Sequence, residues 1–298
     1  MRYKNWLFLG VAQLVWAMSY AASKIAMLGF PIPVILFLRY GVASLIFVGI
    51  WMLRGFPTFT RKNLLGVVAV GCINFFVSQY VQVYSLQYTQ SIDASILVLF
   101  EPLITMIMAI VLLGEPLRRR LLIATGVSIV GFFMLSDIEF HQWGQWSNVR
   151  LIGNVLFLAS LVSEATCSVT GKIFTKQNHP IDVIGTMMGS AFLLNTCMHF
   201  GQITSFSYAE PPLRSWAAVF FLAIFCSLFA YTIWYKVIQE VEVQVVSLSL
   251  FLQPVLGIFV GLLWMNEIIT QKATVGALLI CASLFWWQWK VTHDKAIS

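Results

Sequence analysis

Long apolar runs separated by brief polar breaks fill almost the whole chain. The hydrocarbon core of a bilayer, about 30 Å thick, takes about 20 helical residues at roughly 1.5 Å each. Runs of that size fall at 5–28, 32–53, 64–84, 91–113, 119–137, 149–171, 181–203, 215–236, 243–265 and 271–291. The pattern predicts an all-α integral membrane fold with ten transmembrane helices. The longest break, 138–148, divides the runs into two sets of five, 5–137 and 149–291, and no break has room for a soluble catalytic domain. Arg2 and Lys4 precede the first run, as in a signal peptide. The run exceeds the roughly 7–15 apolar residues of a cleaved leader, so a retained first helix is expected.

The two sets repeat one another. Pro102 and Glu115 recur as Pro254 and Glu267 at the same separation. Pro31-Ile-Pro-Val-Ile resembles Pro180-Ile-Asp-Val-Ile, and Lys24 has its counterpart in Lys172. Basic residues mark the cytoplasmic side of membrane spans. With a cytoplasmic N-terminus, the inner side collects Arg2, Lys4, Arg54, Arg61, Lys62, Arg118, Arg119, Arg120, Lys172, Lys176, Lys236, Lys290 and Lys295. The outer side receives only Arg150, Arg214 and Lys272. Both termini are then cytoplasmic. Five helices per half is an odd number, so the second half enters the membrane from the opposite face. Two oppositely inserted copies of one hydrophobic unit are an architecture of secondary transporters, with the ligand held between the halves.

Composition narrows this further. Hydrophobic residues make up 59% of the chain and charged residues 10%, with a mean hydropathy of +0.85. Soluble proteins carry about 25% charged residues. The net charge of +6 flanks the apolar runs instead of forming a basic stripe, so nucleic acid is not an expected partner. Cys72, Cys167, Cys197, Cys226 and Cys281 stand singly in apolar runs and read as packing residues. His141, His179, His199 and His293 show no paired ligand spacing, so neither a metal nor another cofactor is expected. No G-x-x-x-x-G-K-[ST] occurs to bind ATP phosphates. Gly185xxxGly189 and Gly257xxxGly261 allow close helix approach, within the chain or in a homodimer.

Polar groups inside hydrocarbon are costly and turn toward a bundle interior or a wet cavity. At helical spacing, Gln13, Tyr20 and Lys24 share a face of the first span, with Trp16 adjacent. Asn74, Ser78, Gln82 and Ser85 align in the third span, and Ser160, Glu164, Ser168 and Gly171 in the sixth. Ser227, Tyr231 and Tyr235 align in the eighth, and Ser249, Gln253, Gly257 and Gly261 in the ninth. Glu101 and Thr105 lie one turn apart in the fourth, while the fifth, seventh and tenth spans are mostly apolar. Six striped helices are expected to wall a solute pathway.

Glu101 is mid-span and precedes Pro102, which loosens the helix. Two roles stand open for it: proton coupling or capture of a substrate ammonium, and a structural ion pair with Arg39. Its repeat mate Gln253 cannot titrate. Glu164, whose mate is Trp16, lines the pathway or pairs with Lys172. Arg39 binds a carboxylate or pairs with Glu101. Trp16, Tyr20, Tyr231, Trp234 and Tyr235 offer surfaces for an apolar or aromatic substrate. Glu115 and Glu267, at span ends, are expected to cap the following helices, with gating as the alternative.

The Lys24 span, Arg39, "FEPLITMIMAIVLLGEPL" and "LQPVLGIFVGLLWMNEII" resemble the tandem EamA domains of the drug/metabolite transporter superfamily over nearly the whole chain. The resemblance implies a bacterial inner-membrane carrier with two inverted five-helix EamA repeats, a central cavity and alternating access. It also implies export of amino acids, nucleobases or related metabolites. The expected function is proton-coupled export of a small zwitterionic or cationic metabolite, such as an amino acid or related amine. Uptake of a small metabolite or nucleobase is an alternative, because residues do not set direction. An integral-membrane enzyme acting on lipid-linked substrates is a remote alternative, since the acids are dispersed and the histidines unpaired.

Overall fold

The computed structural model describes residues 3–85, 87, 88, 97, 98, 100–135, 148–257 and 271–297. Its elements in order are α1 (Tyr3–Met27), α2 (Ile32–Arg54), α3 (Arg61–Ser85), α4 (Phe100–Leu113), α5 (Arg119–Leu135), α6 (Asn148–Thr175), α7 (Pro180–Met198), α8 (Leu213–Glu240), α9 (Val243–Gly257) and α10 (Gln271–Ile297). A short turn of helix, Phe200–Ser205, follows α7 after a break at His199. The chain is a multi-pass membrane protein. Among the described residues, six helices, α1, α2, α3, α6, α7 and α8, have the length and apolarity to cross a bilayer. Their outward faces stay apolar, as at Leu45, Met52 and Leu53 of α2, which suits lipid contact.

Helix ends follow the local chemistry. Thr60 caps α3 by accepting the Asn63 N–H at 3.3 Å. Pro180 opens α7, where a missing N–H costs nothing. Gly114 takes a φ of 67° after α4, a left-handed turn that suits glycine.

Among the described residues, two apolar cores hold the bundle. The larger joins α1, α2, α3, α6, α7 and α8 around Tyr40, Phe47, Phe75 and Tyr235. The smaller joins α4, α5, α9 and α10 around Leu121, Phe132, Phe251 and Trp287. Gly185 meets Phe47 and Trp51 of α2 so closely that a Cβ there would lie 2.7 Å from Trp51. The Gly185xxxGly189 pair thus serves packing within the chain. Gly261 and Glu267 lie outside the described residues.

α3 and α8 share one irregularity. Each is interrupted by a π-helical stretch, Cys72–Ser78 in α3 and Leu222–Ala230 in α8. In α3 the Gln79 N–H reaches back to the Asn74 carbonyl instead of to residue 75. One extra residue per turn rotates everything after it, and such stretches recur at functional sites.

Candidate functional site

The polar faces of α1, α2, α3, α4, α6, α8 and α9 meet around a cavity of ≈ 70 Å³. One water needs about 10–15 Å³ on this measure, so the space equals roughly five to seven waters, a small organic solute. All six helices with polar stripes contribute to the wall, and α2 adds Arg39. Among the described lining residues, none comes from α5, α7 or α10.

Arg39 and Glu164 organise one wall through a shared amide. Arg39 Nε donates to Ser227 Oγ at 2.7 Å, and Nη1 donates to Gln79 Oε1 at 3.1 Å. Gln79 Nε2 in turn donates to Glu164 Oε1 at 2.9 Å and approaches Gln82 Oε1 at 3.3 Å. Gln82 Nε2 reaches the same Glu164 oxygen at 3.0 Å. The guanidinium also lies 5.3 Å from the ring centre of Tyr40. Both groups are thus held by neutral partners, and among the described residues Arg39 Nη2 and the second oxygen of Glu164 take no further hydrogen bond, which leaves them to a solute. Arg39, 6% exposed, and Glu101, 8% exposed, both border the cavity.

Three sequence expectations need correcting. Among the described residues the ion pairs within 4.0 Å are Arg54–Asp182 and Arg118–Glu242. Arg39 is not within that distance of Glu101; two of its donors go to Gln79 and Ser227 instead. Glu164 does not pair with Lys172, whose Nζ donates to the Gln239 and Val241 carbonyls at 3.1 and 2.9 Å. Glu115 caps a helix, but not the one that follows it: its carboxylate accepts the Val243 and Gln244 N–H groups at 2.7 and 3.0 Å. That contact ties the end of α4 to the start of α9, which are far apart in sequence.

Of the other candidates, Trp16, Asn74, Gln82, Tyr231, Tyr235 and Gln253 line the cavity. The Asn74 amide nitrogen is buried there without a partner among the described residues. Gln253 Nε2 donates to Gln13 Oε1, and Gln13 Nε2 to Ser249 Oγ, both at 2.8 Å, which fixes α9 on α1. Lys24 is exposed and outside the lining. Ser78 also lies outside it, donating to the Ser160 carbonyl at 3.1 Å. The Tyr20 side chain lies outside the described residues. Gln79 escaped the helical stripe because the π-helical stretch shifts the register, moving Gln79 into the place regular spacing gives to Ser78. Cys167 and Cys226 are buried and Cys72 is half-buried, whereas Cys197 and Cys281 are exposed, so a buried packing role does not hold for the last two.

The EamA-like transporter family matches residues 4–137 and 151–287. The chain belongs to this EamA-like transporter family. Transporters, not enzymes, make up the family, and its setting implies a bilayer and a small-molecule substrate. Relatives include the uncharacterized transporter YetK of Bacillus subtilis, 21% identical over 93% of this chain and 84% of its own. The uncharacterized transporter YoaV of Bacillus subtilis is 24% identical over 91% of this chain and 92% of its own. A probable amino-acid metabolite efflux pump of Salmonella typhimurium is 24% identical over 64% of this chain and 65% of its own. One crystal structure superimposes with a TM-score of 0.77 at 18% identity, covering 95% of this chain and 96% of that one, so the two share a fold. In this EamA protein, Trp16 stands edge-on to Tyr231 and Trp234, with ring centres 5.0 and 5.4 Å away.

Proposed function

We propose that this EamA protein is a secondary-active exporter of a small zwitterionic metabolite, such as an amino acid or related amine, driven by protons. In this proposal the chain crosses a bacterial inner membrane ten times as two inverted repeats, 5–137 and 149–291, with both termini cytoplasmic. The observation that carries it is the Arg39–Gln79–Glu164 bridge on the cavity wall. A substrate carboxylate accepts from the free Arg39 donors, and a substrate ammonium donates to Glu164. The relative named as an amino-acid metabolite efflux pump agrees with that chemistry.

Glu101 supplies the proton step. Among the described residues the lining holds one guanidinium and two carboxyl groups, on Arg39, Glu101 and Glu164. With Glu101 protonated the wall is electrically neutral. Once Glu101 releases its proton, the cavity is net negative and attracts an ammonium. Proton and substrate then exchange, each favouring a different conformation of the carrier. The test is flux of amino acids in proteoliposomes under an imposed pH gradient. Wild-type protein moves substrate against its gradient, while Glu101→Gln folds normally and catalyses only gradient-independent exchange. Full pH-driven accumulation by Glu101→Gln overturns the proton role.

A further inference from the structure

The two repeats place opposite chemistry at equivalent positions around the cavity. The sequence offset that carries Arg61, the start of α3, to Leu213, the start of α8, also carries Gln79 to Tyr231 and Gln82 to Trp234. The π-helical stretches end at Ser78 and Ala230, which the same offset relates. The offset that carries Met27, the end of α1, to Thr175, the end of α6, takes Trp16 to Glu164. One repeat-related triad is therefore Glu164 held by Gln79 and Gln82, and the other is Trp16 set against Tyr231 and Trp234. Equivalent backbones build a polar pole and an aromatic pole on one cavity.

The indole donors of the aromatic pole are already used by the protein. Trp16 Nε1 donates to the Cys226 carbonyl at 3.3 Å, and Trp234 Nε1 donates to Ser168 Oγ at 3.2 Å. Apart from the Tyr231 hydroxyl, what this pole offers a ligand is ring carbon. Such rings favour edge-to-face or offset contact with a flat apolar group. Arg39 sits at the seam, bonded to Gln79 of the polar pole and to Ser227, one turn before Tyr231. A solute whose charged head lies between Arg39 and Glu164 extends its remainder across Trp16, Tyr231 and Trp234.

We infer that the substrate of this cavity is an amphipathic zwitterion, an amino-acid head bearing a flat apolar side group that packs on Trp16, Tyr231 and Trp234. The inference rests on the transport function proposed above and adds a side-group subsite to it. The probes are alanine, leucine, phenylalanine and tryptophan, titrated calorimetrically into purified full-length protein, with flux of each measured in proteoliposomes. Phenylalanine and tryptophan are expected to bind at least tenfold more tightly than alanine, with leucine between. Trp16→Ala is expected to bring phenylalanine down to the alanine level, with a clearly smaller loss for alanine. Should Trp16→Ala fail to fold, the ligand series on wild-type protein decides alone, and Tyr231→Leu supplies the second variant. Equal affinity for alanine and phenylalanine overturns the aromatic subsite, as does an equal loss for both in either variant. Side-group-dependent binding without flux of any probe overturns the transport function and leaves the subsite standing. No binding of any of the four probes overturns both.

Discussion

Replacing Gln79 with leucine removes the neutral spacer between Arg39 and Glu164 while keeping a side chain of similar size. In the present arrangement Gln79 accepts from Arg39 at 3.1 Å and donates to Glu164 at 2.9 Å. Without the amide, the guanidinium and carboxylate are free to close on each other. At an effective dielectric of about 20, unit charges attract by about 4 kcal/mol at about 4 Å and by half that at twice the distance. Closing the pair therefore gains about 2 kcal/mol, which a zwitterion must return when it separates the two charges. That corresponds to roughly a 30-fold weaker Kd, since about 1.4 kcal/mol is tenfold. The assay is calorimetric titration of the tightest-binding amino acid into wild-type and Gln79→Leu protein of matched thermal stability. An unchanged Kd in a folded Gln79→Leu protein refutes the spacer role. So does an equal loss for an uncharged ligand.

Removing the Glu115 carboxylate by Glu115→Ala strips two acceptors from the start of α9. Loss of an N-cap costs about 0.5–2 kcal/mol, and equilibrium unfolding in mixed micelles should show a loss of that size. Gly71→Ala places a Cβ 2.5 Å from the Met187 carbonyl and into Ser190. Overpacking of this kind costs about 1–3 kcal/mol, read in the same unfolding assay, and an unchanged midpoint would contradict the α3–α7 packing. His179, in the connection before α7, is held below its ordinary histidine range by burial first and by the Arg54 guanidinium second. Its stabilising contribution is complete above about pH 6.5, the unperturbed value, and is lost as pH falls below it. Thermal melts between about pH 7.5 and 5 should flatten in His179→Asn, which keeps a capping side chain. An identical slope in both proteins would show that His179 does not set it.

The helical layout was legible because membrane spanning leaves few choices. Apolar length marks each helix, and a buried polar group must face something other than lipid. The six stripes therefore pointed at the cavity that Glu101, Glu164, Gln82 and Gln253 share. Gln79 was illegible because regular spacing cannot foresee a π-helical turn, although the repeat contains one in each half. Pairings were also hidden. Lys172 and Glu164 sit two turns apart on one helix, yet Lys172 turns to the carbonyls at the end of α8. Glu115 chose the distant α9 over its neighbour, a tertiary contact that no local rule contains. Lys24 shared a helical face with cavity residues, but the packing of α1 against α8 leaves it outside.

The division of labour between Arg39 and Glu164 is open to one direct measurement. Binding of an amino acid, its decarboxylated amine and its deaminated acid is compared across wild-type, Arg39→Gln and Glu164→Gln proteins. Arg39→Gln should weaken the amino acid and the acid while sparing the amine, and Glu164→Gln should weaken the amino acid and the amine while sparing the acid. If both substitutions weaken all three ligands alike, or neither changes any of them, the cavity does not hold a zwitterion between these two charges.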